Sequence, residues 1–313
     1  MRFNPILATD SYKLSHSFTY PTNVEGMFSY VEARTNGRHV IIPFGLQMWL
    51  EKFMTMPITM EDIDEAEAFA KLHGEPFDAS PWIYIYQQYG GYWPVTIRAV
   101  PEGTPVRSGN AIVTIECTDP NVFWISSYLE TVLQRAVWYP TTIASMDYDI
   151  KKDIKHFYTI SGADMGLLPF ALHDFGARGV SSAETAEIGG AAHLVNFMGS
   201  DTIEGIRAAN YYYDEPMAAF SVPATEHSVE CSYGSSYEQE KEYLSNVLKK
   251  LAKPNGIVSI VLDGYDVYRA ATILCTDLKD QVIASGAKVV FRPDSGDMME
   301  VVPRILAIQA AAF

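Results

Sequence analysis

The chain has 313 residues, 48% of them apolar and 19% charged, with 23 Lys and Arg against 38 Asp and Glu for a net charge of −15. This balance excludes a disordered polymer, and it excludes a nucleic-acid surface, which needs clustered Lys and Arg to neutralise phosphates. A small anionic substrate stays open, because a few sheltered arginines can bind phosphate inside an acidic protein.

Residues 1–149 read as one domain that mixes short aromatic strands with helices. Residues 95–100 alternate and meet Pro101-Glu102-Gly103, which predicts a strand and a turn. Residues 111–115 predict a second strand. Asn121, after Asp119-Pro120, is placed to cap a helix running through Trp138. Over residues 150–313 the rhythm changes: short apolar runs end in polar clusters, and helical segments usually follow. Residues 167–172 lead into His173-Asp174-Phe175-Gly176-Ala177-Arg178-Gly179. Ser181-Ser182-Ala183-Glu184 has the form of a capping box before a helix rich in Ala and Gly. Residues 218–222 lead into Pro223-Ala224-Thr225-Glu226-His227-Ser228. A second capping box, Ser236 to Gln239, opens a helix with apolar Leu244, Val247, Leu248 and Leu251 that stops at Lys253-Pro254-Asn255-Gly256. Residues 257–262 lead into Asp263-Gly264-Tyr265-Asp266, and residues 288–291 into Arg292-Pro293-Asp294-Ser295-Gly296.

This is the β/α layout, in which helices cover a parallel sheet and chemistry gathers at the C-terminal ends of the strands. The runs are too short to separate a barrel from an open doubly wound sheet. Three scattered cysteines, Cys117, Cys231 and Cys275, form no CxxC pair. That argues against a disulfide framework and a structural zinc site, and for the cytoplasm. Asp10 and Lys13 interrupt the start of the chain, so no signal peptide is expected. No apolar run approaches the roughly 18 residues of a membrane helix.

The clusters supply Arg178 and Arg292, the acids Asp174, Asp263 and Asp294, His227 and the ring of Phe175. Arginine forks suit phosphate oxygens, a carboxylate suits a ribose diol, and a phenyl face suits a flat ring. A sugar phosphate plus an aromatic base is the substrate pair this set fits. The absence of a P-loop and of GxGxxG argues against a Walker-type kinase and a Rossmann dehydrogenase. Each residue also has a plainer reading. Arg-Pro-Asp-Ser-Gly is a common turn after a strand, His227 a loop histidine, His173-Asp174 a local hydrogen bond, Phe175 a core residue and Asp201 a helix N-cap. Four clusters at corresponding topological positions weigh against the plainer set.

Several of these segments resemble the nicotinamide phosphoribosyltransferase family. They are Ala8-Thr9-Asp10-Ser11-Tyr12-Lys13, Trp138-Tyr139-Pro140, His173-Asp174-Phe175-Gly176, Arg178-Gly179-Val180-Ser181-Ser182, Ala192-His193-Leu194-Val195-Asn196-Phe197, Glu226-His227-Ser228 and Arg292-Pro293-Asp294-Ser295-Gly296. The resemblance implies a type II phosphoribosyltransferase of the α/β class, with an incomplete (β/α) barrel-like domain, a smaller mixed α/β, mostly β domain, and a homodimer with shared active sites. It implies that Phe175 stacks on nicotinamide and that Tyr12 of the neighbouring subunit closes the ring's other side. Asp201 would accept from the carboxamide, with Arg178 and Ser221 in the same pocket. Arg292, Asp294 and Arg178 would bind the phosphoribosyl group, helped by Arg34 of the neighbour. His227 would take the phosphoryl group of ATP, an optional coupling substrate, with Asp263 orienting it. Mg²⁺ would be held mainly by the substrate's pyrophosphate, with no metal site of the protein's own. Nicotinate phosphoribosyltransferase activity and a non-catalytic relative that binds nicotinamide or dimerises are the rival readings. Gly264 stands where the family frequently has Ser, and Ala177 where it frequently has an aromatic residue. The family's Gly-Asp segment and Gly-rich phosphate loop would follow the Arg-Pro-Asp-Ser-Gly motif, and the 313 residues end before them. C-terminal truncation, with little transferase activity from this chain alone, is therefore expected.

Overall fold

Residues 2–35 and 37–313 are described by a computed structural model, in which contacts separate two units, Met1–Phe220 and Ser221–Phe313. In the first unit, a 3-10 turn (Ser11–Phe18) precedes β1 (Phe28–Glu32), β2 (Val40–Ile41), α1 (Leu46–Trp49), α2 (Met60–His73) and α3 (Ser80–Tyr89). There follow β3 (Val95–Ala99), β4 (Val106–Arg107), β5 (Ala111–Cys117), α4 (Ile125–Tyr128) and α5 (Glu130–Ser161). The unit closes with β6 (His173–Asp174), α6 (Ala183–His193), β7 (Gly199–Ser200) and α7 (Ile203–Tyr213). Residues 149 and 150 lie within α5.

β5 is the central strand of an antiparallel sheet, flanked by β1 and β3. Its buried Ile112, Val113 and Ile115 join an aromatic core in which Trp82 meets Tyr128 at 4.9 Å and Trp124 at 5.2 Å, both edge to face. The N-terminal segment is tied into that core. Tyr128 donates its hydroxyl proton to the Ile6 carbonyl at 2.6 Å, across 122 residues of sequence. Pro140 lies inside α5, where its missing N–H leaves the Ala136 carbonyl without a helical donor. Gly45, at φ 103°, passes this spot, where a Cβ would come within 2.4 Å of Pro140 and 2.6 Å of the Ala136 oxygen. Helices α6 and α7 cross at Gly190 and Gly205, and a Cβ on Gly205 would sit 2.4 Å from the Gly190 backbone. Small residues here let the second helix lie against the first.

Local chemistry departs from the sequence reading at four places. Asp119, not Asn121, caps the turn before α4, its side chain accepting from Asn121 N. The helical region then continues past Trp138 to Ser161. Residues 167–172 are not a strand: Met165–Phe170 forms a 3-10 turn around Pro169, and only His173 and Asp174 pair. The α6 cap is Ser182, which accepts from Thr185 N, one residue beyond the expected box. Within residues 218–222 the ladder contact is a single parallel bridge from Phe220 to Gly199.

The second unit contains α8 (His227–Tyr233), α9 (Tyr237–Leu251), β8 (Ile257–Val261), α10 (Val267–Cys275), α11 (Lys279–Ser285), β9 (Lys288–Arg292) and α12 (Met298–Ala312). β8 and β9 pair in parallel, from Ile257 with Lys288 to Val261 with Arg292, and Ala224 bridges to Ser259 on the other side of β8. Buried Tyr243, Leu244, Val258, Ile260, Ile273 and Leu274 form the core between these strands and their helices. The Ser236–Gln239 capping box of α9 is present in both directions. Among the described residues no helix is long and apolar enough to cross a membrane.

Candidate active site

Functional side chains gather in two clusters, one in each unit. In the first unit, parallel pairing of β6 with β7 sends residues 175 and 201 out at the same end of the ladder. The Asp201 N–H donates to the Asp174 carbonyl at 2.9 Å, which fixes the two exits side by side. Phe175 leaves β6 with its ring 57% exposed and 4.6 Å from the ring of His173. His173 Nε2 lies 3.4 Å from Asp201 Oδ1 and makes no hydrogen bond. The His173-Asp174 pair therefore is not bonded ring to carboxylate; Asp174 Oδ1 instead accepts from Gly176 N at 2.7 Å and shapes the turn that carries Arg178. Asp201 does not cap α7, whose N-cap residue is Thr202. A cavity of about 290 Å³ opens behind this turn, walled by Phe175, Asp174, Tyr139, Thr185, Thr202 and His193 among others. Burial pushes the Tyr139 phenol up, and the charge of Asp174 adds to it.

Beneath the ladder lies a pair that the sequence reading did not single out. His193, at the end of α6, places Nδ1 2.7 Å from Asp147 Oδ2 on α5 and Nε2 2.9 Å from the Gly199 carbonyl on β7. Both neighbours are acceptors, so both ring nitrogens must carry protons and the ring is an imidazolium. Burial pulls its pKa down, but the hydrogen bond and charge of Asp147 and the Gly199 carbonyl outweigh that and raise it. Asp147 thereby anchors, through His193, the strand that delivers Asp201. The motif around His193 was visible in the sequence; its partner is 46 residues away.

In the second unit, His227, Asp263, Arg292 and Asp294 come together. His227 Nε2 is 3.0 Å from Asp263 Oδ1, and its Nδ1 is 3.9 Å from Asp294 Oδ2. Asp263, nearly buried, also accepts from Ser295 Oγ. Burial raises this carboxyl, yet the hydrogen bonds from Ser295 and His227 hold it below the usual carboxylate range. The carboxylate is placed to accept from Nε2–H of His227, with Nδ1 turned toward Asp294. Arg292 donates through Nη2 to the Thr225 carbonyl at 2.7 Å and meets Asp294 at 3.4 Å through Nη1, while its Nε has no partner. Thr225, between Tyr243 and Val261 N, braces this loop from inside. Ser221 is exposed, and its hydroxyl lies 3.5 Å from the Val222 carbonyl. Tyr12 and Arg34 are both exposed in the first unit. Tyr12 packs on His16 with ring centroids 5.1 Å apart.

The fold is that of a phosphoribosyltransferase. Human nicotinic acid phosphoribosyltransferase superposes with a TM-score of 0.61 at 17% identity, covering 97% of this chain and 64% of that one. The nicotinate-nucleotide pyrophosphorylase of Pyrococcus furiosus gives 0.57 at 16%, covering 99% and 66%. Residues 170–311 match the nicotinate phosphoribosyltransferase (NAPRTase) family, and residues 4–97 match the nicotinamide phosphoribosyltransferase N-terminal domain. The chain is 46% identical to the nicotinamide phosphoribosyltransferase of Xanthomonas campestris pv. campestris, over 99% of its own length and 66% of that protein's. It is 33% identical to that of Acinetobacter baylyi, over 96% and 64%. It belongs to the nicotinamide phosphoribosyltransferase family, and it spans about two thirds of the length of these curated relatives.

Proposed function

We propose that the protein joins nicotinamide to phosphoribosyl pyrophosphate, giving nicotinamide mononucleotide and pyrophosphate. The observation that carries the reading is Phe175, a phenyl face exposed at the end of β6 with the Asp201 carboxylate leaving the neighbouring β7. A flat ring bearing a hydrogen-bond donor complements that pair. Phe175 stacks on the pyridine ring, Asp201 accepts from the carboxamide, and Arg178 and Ser221 contribute to base binding. Arg292, Asp294 and Arg178 receive the phosphoribosyl group. The pyridine nitrogen forms a bond to C1 of the sugar as the C1–O bond breaks, and pyrophosphate leaves with the bonding electrons. The protein's part is to position the reactants and neutralise charge. Mg²⁺ would arrive on the pyrophosphate and stabilise the leaving group.

His227 is the acceptor for the phosphoryl group of ATP through Nδ1, and Asp263 holds its tautomer. Tyr12 and Arg34 serve the site of a second copy, so the working form is a homodimer. Light scattering at micromolar concentration tests that, and a strictly monomeric species would remove both assignments. The cytoplasm, where thiols stay reduced, suits Cys117, Cys231 and Cys275, all free.

The match of residues 170–311 to the nicotinate phosphoribosyltransferase family favours a second reading, nicotinate as the base. Asp201 opposes it, because two facing carboxylates repel. Calorimetric titration decides between them: nicotinamide binds more tightly than nicotinate. Phe175→Ala lowers nicotinamide affinity by roughly 1–3 kcal/mol, the scale of aromatic stacking on a base. Unchanged affinity in that variant, or a preference for nicotinate, overturns the base assignment. Adding phosphoribosyl pyrophosphate and Mg²⁺ and following nicotinamide mononucleotide reads the transfer itself.

A further inference from the structure

Glu230 is a buried carboxylate with no part in the chemistry described above. It lies on α8 three residues after His227, so both side chains project from the same face of that helix. It is 1% exposed. Its Oε2 accepts from Gly264 N at 3.0 Å, and its Oε1 is buried without a partner. A Cβ on Gly264 would fall 2.5 Å from Oε2, 2.6 Å from Cδ and 3.1 Å from Cγ of Glu230. The carboxylate therefore fills the space where any side chain at position 264 would begin.

We propose that Glu230 is a positioning residue that holds Asp263 against His227, and that Gly264 has to be glycine to admit it. The Gly264 N–H belongs to the peptide that follows the Asp263 Cα. Fixing that peptide fixes the direction in which the Asp263 side chain leaves the backbone. One face of α8 then grips both sides of Asp263. The ring of His227 meets its carboxylate at 3.0 Å, and Glu230 meets the next peptide at the same distance. Burial raises the Glu230 carboxyl, partly offset by the Gly264 N–H, and the nearby charge of Glu240 adds to the rise. A neutral acid at this position would keep the hydrogen bond from Gly264 without placing a second charge beside Asp263. Gln is then its closest substitute.

The inference rests on the reading of His227 as phosphoryl acceptor only for its functional effect. The geometric part is read separately, from the ¹⁵N spectrum of the imidazole rings, assigned with His227→Gln. In the unaltered protein His227 is the Nε2–H tautomer. Glu230→Gln keeps that tautomer, and Glu230→Ala lets the ring average between tautomers. Acid-labile phosphate incorporated from ATP falls about 10- to 100-fold in Glu230→Ala, the range for losing a buried hydrogen bond to a charged group. Gly264→Ser with Glu230 in place also lets the ring average, because its Cβ collides with the carboxylate that holds the Gly264 peptide, and this variant decides the matter if Glu230→Ala does not fold. A fixed Nε2–H tautomer in Glu230→Ala, or in Gly264→Ser with Glu230 intact, overturns the proposal. Tautomers behaving as expected without any phosphate incorporation would uphold the positioning role and sink the phosphoryl-acceptor reading.

Discussion

Asp147→Ala should destabilise the Met1–Phe220 unit far more than an ordinary surface substitution. The side chains of Asp147 and His193 are 10% and 6% exposed, and their atoms meet at 2.7 Å. Removing the carboxylate leaves a buried imidazolium with one carbonyl acceptor and no counter-charge. Breaking a buried pair in this way costs about 3–5 kcal/mol. For a unit of this size each kcal/mol shifts the melting temperature by about 2–4 °C, so the transition should fall by roughly 6–20 °C. The effect has a pH signature. The folded-state pKa of His193 is raised above its ordinary 6.5. A group with a raised folded pKa contributes its stability fully below the unfolded value, and that contribution is lost as pH rises through the folded value. The gap between the wild type and Asp147→Ala should therefore be widest below about pH 6.5 and shrink in alkali. Urea or thermal unfolding followed by near-UV circular dichroism, at pH 6 and at pH 9, measures it. A loss under about 1 kcal/mol at pH 6 would class the contact with exposed ion pairs and refute the reasoning.

Two further outcomes concern the proposed chemistry. Asp201→Asn should lose much of the preference for nicotinamide over nicotinate, because the repelling charge is gone; competition binding with both ligands reads the ratio, and an unchanged ratio removes Asp201 as its source. His227→Ala should abolish ATP hydrolysis and leave nicotinamide affinity within about two-fold, since ring stacking of about 1–3 kcal/mol rests on Phe175. Persistent ATP turnover in that variant would show that another group accepts the phosphate.

What the sequence disclosed was short-range. Ser236 and Gln239 are three residues apart, and their reciprocal cap could be read directly. Arg292 and Asp294 likewise sit in one motif, at the end of a strand whose β-branched run is unmistakable. The 167–172 run misled because an apolar string does not distinguish a strand from a 3-10 turn; Gly166 just before it and Pro169 inside it were the contrary signal. Residues 218–222 look like a strand and contribute one bridge, because pairing is settled by neighbours that periodicity does not see. The His193–Asp147 pair was hidden for the same reason. A histidine ending one helix and an aspartate within another look ordinary until packing brings them to 2.7 Å. Glu230 reads as a routine helical acid, and only the room that Gly264 leaves for its carboxylate shows why it is buried.

The bond from Tyr128 to the Ile6 carbonyl also sets a clock. The N-terminal segment docks on a residue made 122 positions later, and β1 pairs with β5 rather than with a strand close to it in sequence. At a ribosomal rate of about 5–20 residues per second, the interval is roughly 6–24 s. Until β5 is made, late in that interval, the edges of β1 have no native partner, and they form a sticky nascent segment. Slower elongation through residues 30–110 would lengthen that exposure. Chaperone demand during synthesis should therefore depend on codon usage there more than on the stability of the finished fold.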